Sequence, residues 1–366
     1  MRARAPRVLV PIAVLGLALG LAACGGDDDD DGGGEGGGSI AYLLPESKTA
    51  RYETQDRPLF EAKVEAECPD CEILYSNADQ DTSKQQQQVE AGITEGVDVM
   101  VLDPVDSAAA AGLVSRAKQA GIPVISYDRL ILDADLDYYV SFDSVEVGRQ
   151  QGEALSEKLA EEGSDEGPIV QINGAPTDNN ATLFNEGSTE IFDQEGVEIA
   201  KEYDTPDWSP DEAQLEMEQA ITAEGKNGFA GVYAANDGTA GGAIAAMKSA
   251  GINPETKPTT GQDAELAAIQ RILAGEQYMT VYKPIKPLAE GAAELAVALA
   301  QGEDPPEGLI NGEEDNGQEQ VPTVFLETIP VFQDNVQDTI VADDFWKVDE
   351  ICTKAYAQDC KDAGLQ

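Results

Sequence analysis

The sequence contains no histidine and few cationic residues. Among 366 residues there is no His, and 23 Lys and Arg stand against 70 Asp and Glu, which gives a net charge of -47. The absence of His removes the usual general base, the commonest zinc ligand and the Ser-His or Cys-His pairs of nucleophilic hydrolases. The excess of acid excludes nucleic acid as a partner, because such a surface repels the phosphate backbone.

Cysteine is also scarce, with five residues in the chain. Cys24 lies in the N-terminal segment, and the other four form an even set in Cys68, Cys71, Cys352 and Cys360. An even number of cysteines in an exported chain favours disulfides. We favour two local pairs, Cys68 with Cys71 and Cys352 with Cys360, although the other pairings, a four-thiolate zinc site and a Cys-Pro-Asp-Cys redox motif remain as alternatives.

The N-terminus has the layout of a secretory signal. Arg2, Arg4 and Arg7 precede an apolar run over residues 8–23, which is too short to span a bilayer comfortably. The run ends in Leu-Ala-Ala-Cys at Cys24, which resembles the lipobox of bacterial lipoproteins. The resemblance implies removal of residues 1–23, lipidation of Cys24 and an extracytoplasmic protein anchored to the outer face of the cytoplasmic membrane.

A short polar segment follows the predicted lipidation site. Residues 25–38 read GGDDDDDGGGEGGG, so residues 24–38 are predicted to be a lipid-anchored, flexible Gly/Asp linker. The acid run lacks the alternating Asp and distal Glu of an EF-hand, and no metal site is expected there. Loss of the three arginines in residues 1–23, a segment without acids, takes the net charge from -47 to -50.

From residue 39 onward, short apolar segments alternate with amphipathic ones. This alternation predicts an α/β fold with parallel sheets. The predicted strands are 40–44, 72–75, 97–102, 124–127, 169–172, 231–234 and 279–281. The predicted helices are 52–67, 82–95, 107–119, 145–160, 211–222 and 240–250. A body of this length favours two lobes of similar size over one core.

Polar residues follow many of the predicted strands. In two doubly wound lobes these strand ends would face one another across a crevice, where ligands of such folds bind. The strand-end pairs are Asp103-Pro104, Asp128-Arg129, Asn173-Gly174, Asn236-Asp237, Gln262-Asp263 and Lys283-Pro284. Each pair could serve as a helix cap or turn, but six loops that carry both donors and acceptors predict a polar small-molecule site.

Five ordered sequence blocks resemble one known group. They are SYDRL at 126–130 with SFD at 141–143, PTDNNA at 176–181, NDGTAGGAI at 236–244, GQDA at 261–264 and MTVYKPI at 279–285. The chain is similar over residues 39–345 to the periplasmic D-xylose-binding proteins of ABC transporters, within the type I sugar-binding family. The resemblance implies two Rossmann-like doubly wound parallel-sheet lobes joined by a three-crossing hinge. The lobes would comprise residues 39–143 with 284–325 and residues 144–283 with 326–366, with crossings near Asp143, Lys283 and Leu326.

The resemblance also implies the ligand site and the partners. The expected sugar contacts are Arg51, Tyr52, Asp128, Arg129, Asp178, Asn180, Trp208, Asn236, Asp263 and Lys283. Carboxylates, amides and cations suit the hydroxyls of a pyranose, and an aromatic side chain suits its C–H face. We therefore expect a monomeric protein that binds a monosaccharide, D-xylose first, and delivers it to ABC transporter permease subunits, without cofactor, metal or catalysis.

Three other functions are considered. A secreted glycosidase could use Asp178 and Asp263 as its carboxylate pair, and release of sugar from a glycoside would identify it. A transcription-regulator effector domain shares the fold class, but no basic helix-turn-helix precedes residue 39 and a lipobox does not fit a cytoplasmic role. A sugar sensor that serves a receptor would have the same site.

Two segments differ from the family pattern. The acidic insert at residues 312–317 is interpreted as a solvated loop. The Cys-bearing tail after Trp346 is interpreted as a strap across the second lobe.

Overall fold

The computed structural model describes residues 37–164 and 167–365. The predicted signal peptide, Cys24 and most of the Gly/Asp linker lie outside the described residues. Within the described part of the chain, no helix combines the length and the apolar composition that a bilayer crossing requires.

Strands and helices alternate along the body of the chain. The strands are β1 Ser39–Leu44, β2 Glu72–Asn77, β3 Val99–Leu102, β4 Val124–Tyr127, β5 Tyr138–Phe142, β6 Ile169–Asn173, β7 Ile199–Asp204, β8 Gly231–Ala234, β9 Thr280–Tyr282, β10 Gly312–Asp315, β11 Gln320–Leu326 and β12 Ile329–Val331. The helices are α1 Arg57–Glu67, α2 Thr82–Glu95, α3 Ala111–Gln119, α4 Ser144–Glu161, α5 Asn179–Glu195, α6 Pro210–Glu224, α7 Asp237–Ser249, α8 Leu266–Leu273, α9 Ile285–Ala300, α10 Val348–Ile351 and α11 Ala357–Asp362. A π-helical turn, Tyr52–Asp56, precedes α1.

In the described residues the strands form a seven-stranded sheet, a three-stranded sheet and a two-stranded pair. The first has the order β10-β11-β5-β4-β3-β1-β2 and is parallel except at its β10 edge. The second contains β7-β6-β8 in parallel. Bridges from Val232 to Thr259 and from Gln262 to Val281 extend it toward the antiparallel pair of β9 and β12. The seven-stranded sheet and the three-stranded sheet each carry helices, so each is the centre of one lobe.

The chain crosses between the lobes three times. It passes from β5 to α4 at Asp143, from β9 to α9 at Lys283–Pro284, and from β11 to β12 at Glu327–Thr328. Residues of the first lobe therefore come from both early and late parts of the sequence. This is the predicted arrangement of two doubly wound lobes with three connections.

The central strands are buried on both faces. In β1, Ile40 and Tyr42 join the cluster that contains α1 and α9, whereas Ala41 and Leu43 join the cluster that contains α2 and α3. All four side chains are completely buried. Helices cover both faces of a parallel sheet, so its strands read as continuous apolar runs.

The acidic insert is not the solvated loop that its composition predicted. Gly312–Asp315 is an edge strand that pairs antiparallel with β11, from Gly312 opposite Thr323 to Asp315 opposite Gln320. Asn316 is buried, and its Nδ2 donates to the carbonyl of Ala134 at 2.7 Å. The prediction of a loop was wrong because charged side chains are also common on edge strands, where they discourage further pairing.

Both local cysteine pairs form disulfides in the structure. The Cα atoms are 5.3 Å apart in Cys68–Cys71 and 5.8 Å apart in Cys352–Cys360. The first pair lies at the end of α1. The second joins Cys352, at the end of α10, to Cys360 in α11. Ile351 in this tail is completely buried, so the tail is packed against the body of the protein.

Candidate functional site

The loops at the carboxyl ends of the strands enclose a small polar cavity. Its walls contain all ten residues that the sequence analysis proposed as sugar contacts, together with Thr49, Phe184 and Gln262. Each of the ten is at most 4 % exposed, although most are charged or polar. A small cavity with mostly polar walls suits one small, polar molecule.

Backbone strain places several of these side chains. Asp128 after β4 and Asp263 before β9 have left-handed φ values of 55° and 96°, and Trp208 has 54°. Such angles cost energy in residues other than glycine and persist where the surroundings hold them. The amide of Asp128 donates to Val140 O and that of Asp263 to Val281 O, each at 2.9 Å.

Asp128 is the centre of one ionic cluster. Its Oδ2 lies 3.1 Å from Arg51 Nη2 and accepts a hydrogen bond from Tyr52 Oη at 2.8 Å, while its Oδ1 lies 3.4 Å from Lys283 Nζ. Burial alone would raise the pKa of Asp128, but Arg51 and Lys283 lower it well below its usual range. Asp128 is therefore an ionised acceptor at neutral pH.

The same cations reach the second lobe at Asp263. Lys283 Nζ lies 3.3 Å and Arg51 Nη1 lies 3.6 Å from Asp263 Oδ1. Arg51 comes from the first lobe, Asp263 from the second and Lys283 from a crossing. The carboxylate of Asp263 therefore links all three parts of the fold.

Arg129 is the centre of a second cluster. Its Nε lies 3.0 Å from Asp178 Oδ2 of the opposite lobe, and Asp103 and Glu46 lie 3.6 Å from the guanidinium. Burial raises the pKa of all three carboxyl groups, and the positive charge of Arg129 opposes that rise. Acidic side chains from both lobes therefore fix the orientation of the guanidinium.

Trp208 presents an aromatic face to the cavity. It lies in the short turn Pro206–Trp208, and its Nε1 donates to Asp178 Oδ2 at 3.0 Å. The ring packs edge-to-face on Phe184, with centroids 6.4 Å apart. A Cβ at Gly174 would lie 1.9 Å from the indole, so only glycine leaves room for the ring in this orientation.

Two asparagines of the cavity wall are oriented by their hydrogen bonds to the protein. Asn236 caps α7 by accepting from Thr239 N at 2.8 Å. Asn180, in the first turn of α5, donates from Nδ2 to Asp128 O at 3.1 Å and so joins the lobes. Both therefore have fixed orientations toward the cavity.

Several buried polar atoms of the site make no hydrogen bond to the protein. Within residues 37–164 and 167–365, Arg51 Nη1, Gln262 Oε1 and Asp263 Oδ1 are buried without a hydrogen bond. Buried polar atoms in native structures are almost always satisfied, by protein, water or ligand. Arg51 Nη1 and Asp263 Oδ1 face one another at 3.6 Å as an ion pair, so their unused hydrogen-bonding capacity and the oxygen of Gln262 are available to a hydroxylated molecule. The described part of the chain contains no group of acidic or cysteine side chains arranged to hold a metal ion.

Some functional positions were missed by sequence reasoning. Asp103 and Gln262 were noted as strand-end residues but were not assigned to the site. Asp56, whose Oδ2 lies 3.2 Å from Arg51 Nε, gave no sequence signal, because its position depends on the π-helical turn. Phe184 could have been found from its spacing, since it follows Asn180 by one helical turn on α5.

The chain matches known proteins over most of its length. Residues 40–304 match the model of the family described as periplasmic binding protein domain. A D-xylose-binding periplasmic protein of Escherichia coli (strain K12) is 39 % identical over 302 residues, which cover 81 % of this chain and 88 % of that protein.

Solved structures give the same result. An ABC transporter solute-binding protein from Clostridium phytofermentans with bound β-D-glucose has a TM-score of 0.77 at 27 % identity, covering 86 % of this chain and 99 % of that one. A carbohydrate transporter solute-binding protein from Chloroflexus aurantiacus, in complex with D-glucose, has a TM-score of 0.75 at 30 % identity, covering 85 % and 97 %. These matches confirm the predicted fold class, and all three proteins are binding proteins rather than enzymes.

Proposed function

The chain belongs to the periplasmic binding protein domain family, and from this premise we propose that it captures a neutral monosaccharide between its lobes and delivers it to an ABC transporter permease. The observation that carries the proposal is the convergence of ten buried polar and aromatic residues from both lobes on one small cavity. Hydroxyls of a sugar both donate and accept, which matches the hydrogen-bonding capacity that Arg51, Gln262 and Asp263 leave unused.

The charges of the site favour an uncharged ligand. Three cations line the cavity, and each lies within 4 Å of a carboxylate. A buried charge is costly unless it is paired, and here no cation is left for an anionic sugar. Uronic acids and amino sugars should therefore bind much more weakly than the parent sugars.

D-xylose is the first candidate within this class. The support is the 39 % identity to a D-xylose-binding periplasmic protein. Two structural neighbours carry glucose, so hexoses are the principal competitors. Ribose, arabinose and galactose complete the set to be compared.

Ligand would act by favouring the closed arrangement of the lobes. A ligand shifts a conformational equilibrium only through contacts that differ between the two states. A sugar in this cavity would touch Asp128 and Arg129 on one lobe and Asn236 and Asp263 on the other at the same time. Ser107 N of the first lobe donates to Thr177 O of the second lobe at 2.9 Å, which is one direct hydrogen bond between the lobes.

We expect a selective thermal shift with a monosaccharide panel. At about 100 times its dissociation constant, a ligand adds roughly 2.7 kcal/mol to the free energy of unfolding. The purified protein should melt at higher temperature with D-xylose, and D-glucuronate and D-glucosamine should serve as charged controls with little effect. Calorimetry then gives the dissociation constant of each sugar that shifts the melting temperature.

The panel can refute the proposal at two levels. A larger shift with glucose or another neutral sugar would replace xylose and keep the function. Equal shifts with neutral and charged sugars would contradict the charge argument, and no shift with any sugar would contradict monosaccharide capture itself.

We also propose that a lipid on Cys24 holds the protein at the outer face of the cytoplasmic membrane. The support is the order of signal, lipobox-like residues and linker in the sequence. With Cys24→Ser, expression in a bacterial host should move the protein from the membrane fraction to a soluble fraction and abolish incorporation of labelled palmitate. Palmitate incorporation that persists in the variant would reject this anchor.

A further inference from the structure

The segment that follows β12, residues 332–365, contacts α8 and β9 of the second lobe, and we call it the C-terminal strap. Trp346 Nε1 donates to Ala264 O at 2.8 Å. The carboxylate of Asp343 accepts a hydrogen bond from Tyr282 Oη. Ala264 follows Asp263 in the chain, so one strap contact is adjacent to a residue of the cavity wall.

The turn at Asp263 needs external support. Asp263 and Ala264 both have left-handed φ values, 96° and 51°. Two consecutive residues of this kind, neither of them glycine, persist only where neighbours fix them. On the sheet side, Ala264 N donates to Thr280 Oγ1 at 3.2 Å, and on the other side Trp346 holds Ala264 O. The carboxylate of Asp263 is aimed into the cavity by a turn that is held from both sides.

The strap is itself firmly anchored. The ring of Phe345 lies 4.9 Å from that of Tyr282 and 5.4 Å from that of Trp346. Gln270 Nε2 on α8 donates at 3.1 Å to the carbonyl of Ile351, the residue before the disulfide-bonded Cys352. Packing therefore fixes the indole of Trp346 independently of its hydrogen bond to Ala264.

We propose that the C-terminal strap belongs to the ligand-binding machinery and that Trp346 is the positioning residue for Asp263. Trp346 does not line the cavity, so it acts on a ligand through the turn it supports. The inference rests on the proposed function, because it requires that Asp263 contacts a sugar. It extends that function to a segment that contributes no residue to the cavity wall.

Trp346→Phe tests this role, because phenylalanine keeps the aromatic packing and removes the N–H donor. The dissociation constant of D-xylose, measured by calorimetry, should rise about fivefold to tenfold, the effect of one lost hydrogen bond. The matched control is Gln270→Ala, which removes a strap contact remote from Asp263 and should change affinity less than twofold. Equal affinity in Trp346→Phe and wild type, or equal loss in both variants, would overturn the inference.

A second measurement follows ligand binding in the wild-type protein and uses the variant only to assign the signals. The chain has two tryptophans, so a ¹⁵N-labelled protein gives two indole N–H signals, and Trp346→Phe assigns them. Saturation with D-xylose should move the Trp346 signal as well as that of Trp208. A Trp346 signal that stays in place while Trp208 moves would overturn the positioning role alone. If neither signal moves with any panel sugar, the proposed function falls and this inference falls with it.

Discussion

Replacement of Arg129 by methionine should lower the free energy of unfolding by about 3–5 kcal/mol at pH 7, the cost of leaving buried charges without a partner. Arg129 is 2 % exposed, and it faces Glu46, Asp103 and Asp178. Methionine fills the space of the aliphatic stem but supplies no charge. Urea unfolding of wild type and variant measures the difference.

The same variant should recover stability as the pH falls from 7 to 5. Burial raises the pKa of Glu46, Asp103 and Asp178 in the folded protein, and removal of Arg129 removes the charge that opposes this rise. The folded state then binds more protons than the unfolded state above the unfolded pKa of about 4, so stability decreases as pH rises through the folded pKa values. Acidification from pH 7 to 5 therefore favours the folded variant.

The control for this prediction is Arg116→Met on the surface. Arg116 pairs with Glu90 at 2.6 Å, but both side chains are about half exposed, at 46 % and 50 %. Exposed pairs contribute about 0–1 kcal/mol, so this variant should unfold almost as wild type does at both pH values. If Arg129→Met matched Arg116→Met in stability, or lost stability between pH 7 and 5, the account of this cluster would be wrong.

Replacement of Asp263 by asparagine should weaken sugar binding at least about 100-fold. Truncating one partner of a buried charge pair costs about 2–5 kcal/mol or more in binding, and Asp263 is paired with both Lys283 and Arg51 across the cleft. Asparagine tolerates the left-handed backbone at this position, so the turn should survive. The loss should therefore come from the charge and the acceptor rather than from unfolding.

Calorimetry with D-xylose measures this effect, and Asp211→Asn is its matched control. Asp211 is an exposed aspartate of the same lobe, in the first turn of α6, remote from the cavity wall. The Asp211→Asn variant should bind D-xylose as tightly as the wild type does. A loss below tenfold in Asp263→Asn would mean that Asp263 serves the hinge ion pairs and not the ligand.

The two-lobe architecture could be predicted because it depends on local patterns. The helix Thr82–Glu95 was predicted with its observed ends, since Asp81 accepts from Ser83 N at its start and Gly96 terminates it in a left-handed conformation. The strand Val124–Tyr127 was likewise predicted at its observed bounds. The edge strand Gly312–Asp315 was missed, because pairing with β11 is a non-local contact that an acidic composition does not reveal.

Ordered sequence motifs predicted which residue types would meet, because they place carboxylates, amides and cations at the ends of strands. Tertiary structure alone decided how they are paired. Arg129 meets Asp178 of the other lobe and not its neighbour Asp128, whose carboxylate contacts Arg51 and Lys283. Asp56 and Trp346 enter the account for the same reason, since each reaches the site through packing with segments remote in sequence. Side-chain pairing across a cleft depends on the relative placement of two sheets, and no local pattern encodes that placement.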